Sequence, residues 1–142
     1  MTATPDSTTS TFRDALLLLS RLLLAWIFVH EAVFLIANFD SASAGMAKLG
    51  IPSLLVIATI ALQLGAGLAL VLGWPLRPAA AALGLFCMAT AMMFHTNLAN
   101  RNELLHLEKD LAIAGGLFAL ALCGAGRWTI AALWTTKLRT QT

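Results

Sequence analysis

Charge is what this chain has least of. Asp, Glu, Lys and Arg make up 11% of its 142 residues, against about 25% in an ordinary soluble domain, and that shortage excludes a globule held in water. A basic patch is missing as well. The nine Lys and Arg stand singly between apolar runs and the formal net charge is only +2, which excludes nucleic acid as a partner. Cysteine is nearly absent: Cys87 lies within one apolar run and Cys123 near the end of another. Neither has a second thiol or a His at metal-ligand spacing, so both read as small buried hydrophobes, with no disulfide and no redox compartment implied. There is no Gly-rich phosphate loop, no CxxC pair and no nucleophile–base motif, which argues against an autonomous enzyme. The opening segment, 1–11, is Thr, Ser, Ala, Pro and Asp without a basic n-region, so it reads as a polar tail and not as the start of a secretory signal.

What the chain does have is apolar length. Apolar residues are 59% of it and the mean hydropathy is +0.83. Crossing hydrocarbon takes roughly 20 mostly apolar residues as a helix. Four runs approach that length, at 15–37, 53–72, 76–95 and 111–123. The breaks between them carry turn chemistry. Asn38, Asp40, Ser41, Ser43 and Gly45 open the first, and Gly50, Pro52 and Ser53 close it. Gly73-Trp74-Pro75 with Arg77-Pro78 makes the second so short that the flanking helices must form an antiparallel hairpin. The third, 96–108, is the most charged stretch and reads as a loop, with Glu103, His106 and Glu108 in it. Gly124-Ala125-Gly126 ends the last run. A β-barrel would need alternating segments of about ten residues, whereas these runs are continuously apolar. The expected fold is therefore all-α, a polytopic bundle of four transmembrane helices over 13–126. A disordered polar tail over 1–12 precedes it, and a basic, Trp-bearing interfacial tail over 127–142 follows.

The basic residues orient it. With both termini cytoplasmic the inside holds Arg13, Arg21, Arg77, Arg127, Lys137 and Arg139, against Lys48, Arg101 and Lys109 outside, the asymmetry that the positive-inside rule requires. Small residues at helix-packing spacing (Ala61, Gly65 and Ala69; Ala80 and Gly84; Ala112 and Gly116; Gly115 and Ala119) suit close packing of the last three helices. Trp26, Trp74, Trp128 and Trp134 read as interface anchors, and Met88, Met92, Met93 and Phe94 as packing residues.

An ionisable group inside a bilayer costs about 2.5 to 3.5 kcal/mol on insertion scales, so the few present carry the most information. His30 and Glu31 interrupt the first helix, Gln63 sits in the middle of the second, His95 ends the third, and Lys109 and Asp110 open the fourth. Most fall toward the outer half, and together they are the candidate ligand-binding or proton-relay residues. Several chemistries fit them. His30-Glu31 begins like a zincin motif, but Phe34 stands where its second His belongs. Imidazoles and carboxylates from different helices could still hold Zn, Cu or Fe, and His30 with His95 could ligate a haem. A buried Glu beside His could relay protons or hydrogen-bond a quinone. Against all of these, Glu31, Gln63 and His95 could satisfy one another between helices and do nothing more.

The order of these features resembles the DoxX family of small four-helix membrane proteins, over residues 21–127. Lys48-Leu49-Gly50-Ile51-Pro52 and Gln63-Leu64-Gly65-Ala66-Gly67 carry the likeness, as do Leu72-Gly73 with Arg77-Pro78-Ala79-Ala80. Phe94-His95, the run from Lys109-Asp110 to Gly115-Gly116, and Gly124-Ala125-Gly126-Arg127 complete it. The departures are specific. Ala32 and Leu35 stand where many members have Gly and Lys, Gln63 where they often have Glu, and Asp110 where they have Asn. Thr129-Ile130-Ala131 replaces a terminal Ser-Leu-Asp. The resemblance implies a multi-pass protein of the bacterial cytoplasmic membrane that is an accessory or subunit of a quinone- or thiol-linked redox process. It implies a quinone as cofactor, a redox-enzyme subunit as partner, and room for an oligomer. The alternatives are a protein that binds or moves a small molecule, proton or metal, and a structural partner without catalysis. If Glu31 stands in for the carboxylate absent at Gln63, Glu31→Gln will lower stability or activity in membranes. No change in either removes that role.

Overall fold

The computed structural model describes residues 7–94, 97–130 and 132. They form five helices: α1 (Ser7–Ala37), α2 (Phe39–Ala47), α3 (Ser53–Leu72), α4 (Leu76–Phe94) and α5 (Arg101–Cys123). No strand occurs among the described residues, as backbone in hydrocarbon requires of an open chain. Three helices, α1, α3 and α4, are long and apolar enough to cross a membrane.

Each difference from the sequence expectation has a local cause. Helix α1 begins at Ser7, so residues 7–12 of the expected polar tail are helical. Its 31 residues extend about 46 Å, well beyond a hydrocarbon core of roughly 30 Å. The first connection contains the nine-residue α2, where Ser, Ala and Met propagate a helix and Asp40 in its first turn complements the N-terminal dipole. The charged stretch expected as a loop is mostly helical: α5 starts at Arg101. Asn100 caps it, its side chain accepting from the Asn102 N–H at 3.0 Å, and Glu103 lies in the first turn. Glu103 also reaches back to accept the Asn97 N–H at 3.1 Å. The expected fourth span is therefore only the apolar second half of a longer helix, and the charges on its first half keep α5 outside the set of three.

The long helices close a ring of neighbours: α1 packs on α3, α3 on α4, α4 on α5, and α5 on α1. The most extensive pairings are α4 with α5 and α1 with α3. Helix α2 lies against α3 and α1. One end of the bundle holds the start of α1, the α3–α4 hairpin and the segment after α5; this is the terminal end. The far end holds α2 and the approach to α5.

The buried faces follow a period of three and four. On α1 they are Asp14, Arg21, Ala25, Phe28 and Ala32; on α4 they are Leu76, Ala80, Leu83, Cys87 and Ala91. Of these, Ala25, Phe28, Leu76, Ala80, Leu83 and Cys87 join Leu70, Ala114, Leu117 and Leu120 in one apolar core, built as a left-handed helix pair builds its seam. The small residues divide. Ala80 and Gly84 are buried, whereas Ala61, Gly65, Ala112, Gly115 and Ala119 face outward. A Cβ at Gly84 would stand 2.7 Å from the Phe118 ring, and one at Gly67 would stand 3.0 Å from Val29 Cγ2, so the close helix approaches occur there. Cys87 is buried but Cys123 is exposed, because it ends α5 on the outward side. Trp26, Trp74 and Trp128 are exposed.

Leu117 is fully buried and Leu122, five residues on, is 81% exposed. Leu117→Ala should lower the unfolding free energy in detergent by about 2 kcal/mol or more, the range for a core Leu truncated to a cavity. Leu122→Ala should leave it within about 0.5 kcal/mol. Reversible denaturation monitored by circular dichroism measures both.

Candidate functional site

The described sequence-derived candidates lie from the middle of the bundle toward its far end, and they do not converge. His30 and Glu31 are exposed on α1, where they face the bundle's surroundings. His30 stacks on Trp26, one turn earlier, with ring centroids 5.9 Å apart at 28°. Lys109 and Asp110 are brought together on α5: Lys109 Nζ lies 4.0 Å from Asp110 Oδ1 and 3.3 Å from His106 Nδ1. Asp110 is the more sheltered of the pair. His95 lies outside the described residues. Among the described residues no group of three or more His, Cys, Asp or Glu is placed to hold a metal ion.

Gln63 is different. It is 5% exposed, in the middle of α3, and its Oε1 accepts no hydrogen bond among the described residues. At Gly67, one turn on, α3 comes close to α1, against Val29. The antiparallel register then sets Gln63 level with the turn of α1 that carries fully buried Ala32. An amide oxygen left without a donor in an apolar interior costs about 1 to 3 kcal/mol.

At the terminal end the structure holds a constellation that the sequence reading passed over. Arg21 is 1% exposed, the largest fully buried side chain among the described residues. Its guanidinium makes four hydrogen bonds, all to main-chain carbonyls. Nε donates to Leu70 O at 2.8 Å and Nη2 to Val71 O at 2.6 Å. Nη1 donates to Ala125 O at 3.0 Å and to Trp128 O at 2.7 Å. Leu70 and Val71 lie in the last turn of α3, where carbonyls have no intrahelical partner and the helix dipole is negative. Arg21 thus caps α3 and ties the segment after α5 to it. Gly73 makes room. It ends α3 in the left-handed conformation at φ 75°, and a Cβ there would lie 2.7 Å from Arg21 Nη2 and from Thr129 Cγ2.

Two turns before Arg21, and so on the same face of α1, Asp14 grips the same segment. Its Oδ1 accepts the Arg127 N–H at 3.1 Å and its Oδ2 accepts from Arg127 Nε at 2.5 Å. Arg127 Nη2 also donates to Ser10 Oγ at 2.9 Å. Two clefts open beside this contact and share Arg127. One, of about 440 Å³, is lined by Thr9, Ser10, Arg13, Asp14, Leu17 and Gly126 in addition. The other, of about 400 Å³, runs past Leu18, Arg21 and Val71 to Trp128 and Ile130. The signal for this constellation was an Arg inside an apolar run with an Asp seven residues earlier. The rule that singled out Glu31 applies equally to Arg21, which the charge asymmetry counts only among the basic residues of the cytoplasmic side.

Residues 16–96, from the first turns of α1 through α4, match the DoxX family model. The chain belongs to the DoxX family. It is similar along most of its length to two inner membrane proteins of Escherichia coli strain K12. It is 31% identical to inner membrane protein YqjF over 87% of this chain and 95% of that one. It is 30% identical to inner membrane protein YphA over 80% of this chain and 86% of that one. No solved structure matches. In this DoxX protein the matched segment contains Arg21, Leu70, Val71 and Gly73, half of the clasp. The carbonyls of Ala125 and Trp128 come from beyond it.

Lysine carries the same charge as Arg21 but lacks the planar fork that reaches several carbonyls at once. Arg21→Lys should therefore cost about 3 kcal/mol, the scale for breaking a buried charged group's bonds. It should also open the chain after Cys123 to limited proteolysis. Protease mapping of the variant in mild detergent, with the wild type alongside, reads this out. An unaltered cleavage pattern and thermal midpoint would show that the clasp does not hold that segment.

Proposed function

We propose that this DoxX protein crosses the bacterial inner membrane four times with both termini cytoplasmic. In this reading it is an accessory or subunit of a quinone- or thiol-linked redox process and has no turnover of its own. Inner-membrane residence follows the names of the two relatives. The case for a fourth crossing is that α5 pairs with α4 more extensively than any other helix does, and so shares its depth. The 13 apolar residues of α5, Leu111 to Cys123, cover about 20 Å, and its charged first half carries the helix on into the outer interface. On the terminal side stand Arg13, Arg21, Arg77 and Arg127, with Lys137 and Arg139 outside the described residues. That asymmetry supports cytoplasmic termini, although Arg21 is spent within the fold.

The observation that carries the redox reading is the buried acceptor of Gln63, which takes no hydrogen bond among the described residues. A quinone supplies a two-electron carrier whose reduced form bears O–H donors and whose oxidised form bears only carbonyl acceptors. Gln63 Oε1 can accept only from a donor, so it favours the quinol, while the amide N–H of the same side chain serves a carbonyl. A thiol donor would suit Oε1 less well, S–H being weak. His30, Glu31, His95, Lys109 and Asp110 are proposed around it as the groups that exchange protons with water on the outer side.

Gln63→Leu separates this role from a structural one. If the amide holds a quinol, lipid extracts of the purified variant will contain far less quinone per protein than those of the wild type. Its thermal stability will hold or rise by about 1 kcal/mol, because an unpaired buried acceptor has been removed. Equal quinone in both proteins, or none in the wild type, overturns the redox reading. A clear loss of stability instead marks Gln63 as an interhelical link.

A further inference from the structure

The clefts at the terminal end point to a ligand of different chemistry from anything Gln63 could hold. Both carboxylate oxygens of Asp14 accept from Arg127, and its charge is thereby matched. Arg127 remains well exposed, its side chain at 64%, with Nε and one Nη2 hydrogen committed and no hydrogen bond from Nη1 among the described residues. Arg13 lines the same cleft and enters none of the hydrogen bonds or ion pairs among the described residues. One positive charge is thus left over in the recess. That is a site for a monoanion with several acceptor oxygens, and arginine suits phosphate oxygens best.

The walls say what else the ligand carries. Leu17 lines one cleft and Leu18 the other. On the same helix Phe12, Leu16, Leu19 and Leu23 are 67%, 48%, 51% and 65% exposed, and they run from the recess toward the membrane-spanning part of α1. Trp128, 46% exposed, borders the second cleft, in keeping with a headgroup-level position. We infer that the paired clefts around Arg127 bind the phosphodiester headgroup of an anionic phospholipid, with Arg13 as its main charge partner and the lipid's chains along the exposed leucines of α1. Lipid bound there presses the start of α1 onto the segment after α5, the contact that Asp14 and Arg21 make from inside. The site needs only that this end lies at a bilayer surface, so it stands or falls independently of any quinone.

The test uses the full chain, purified in mild detergent and titrated with phosphatidylglycerol, phosphatidylcholine or inorganic phosphate, with bound lipid counted by native mass spectrometry. The wild type should retain phosphatidylglycerol over phosphatidylcholine. Arg13→Gln should weaken that retention about fivefold, the factor that one basic residue near an anionic surface is worth. Arg77→Gln removes an exposed charge from the same end but outside both clefts, and should leave retention unchanged. Equal retention by wild type and Arg13→Gln overturns the site, as does an equal loss with Arg77→Gln, which would mean bulk charge alone. Saturation by inorganic phosphate that blocks phosphatidylglycerol overturns the lipid assignment in favour of a soluble phosphate.

Discussion

The guanidinium of Arg21 is the constraint around which the rest of the molecule is arranged. A cation that is 1% exposed in an apolar bundle must find its counter-charge and its acceptors inside the fold. Here it takes both from backbone. The last turn of α3 contributes two orphan carbonyls and the negative end of its dipole, and the turn after α5 contributes two more. No carboxylate is needed. One side chain therefore fixes the relative height of three helices, since α1 cannot slide along α3 or α5 without stranding a buried charge.

That arrangement divides the protein into two ends with different properties. The terminal end is over-determined, with Arg21, Asp14, Arg127 and the left-handed Gly73 each locating the same few residues. At the far end the described polar groups are local pairs or surface residues apart from Ser43, whose buried Oγ, like Gln63 Oε1 in the core, makes no hydrogen bond among the described residues. Structural polar residues are bonded and functional ones are left with capacity to spare. By that criterion the terminal end holds the bundle together, and the middle of α3 is where we propose that a small molecule is met. Membership of the DoxX family, with relatives named only as inner membrane proteins, is compatible with a binding role and assigns no reaction.

Much of this was legible from residue order. The apolar runs of α1, α3 and α4, the tight turn between the last two, and the membrane environment all follow from hydropathy and turn chemistry, which are local. The burial of Gln63 and Cys87 also followed from their position in apolar runs. The extension of α5 back to Arg101 was not seen, because its first turns are charged. A helix end that projects beyond hydrocarbon has no apolar run to announce it and depends on a cap, here Asn100. His30 and Glu31 looked buried because they interrupt an apolar run. Such a run says that a helix is in lipid but not which of its faces meets another helix.

What the sequence determined by itself is composition-driven: a helical membrane protein of one unit, with hairpin connectivity and a family. These depend on contacts between a residue and its solvent, or between residues a few positions apart. Only the tertiary structure decided that Arg21 is an interior clamp instead of a boundary marker, since its acceptors lie 49 to 107 residues away in the chain. They are also main-chain carbonyls, which every residue has and no side-chain pattern reveals. The physical reason is the same for Asp14 with Arg127. A buried charge is tolerated or not according to the groups that surround it in space, and spacing along the chain carries no record of those.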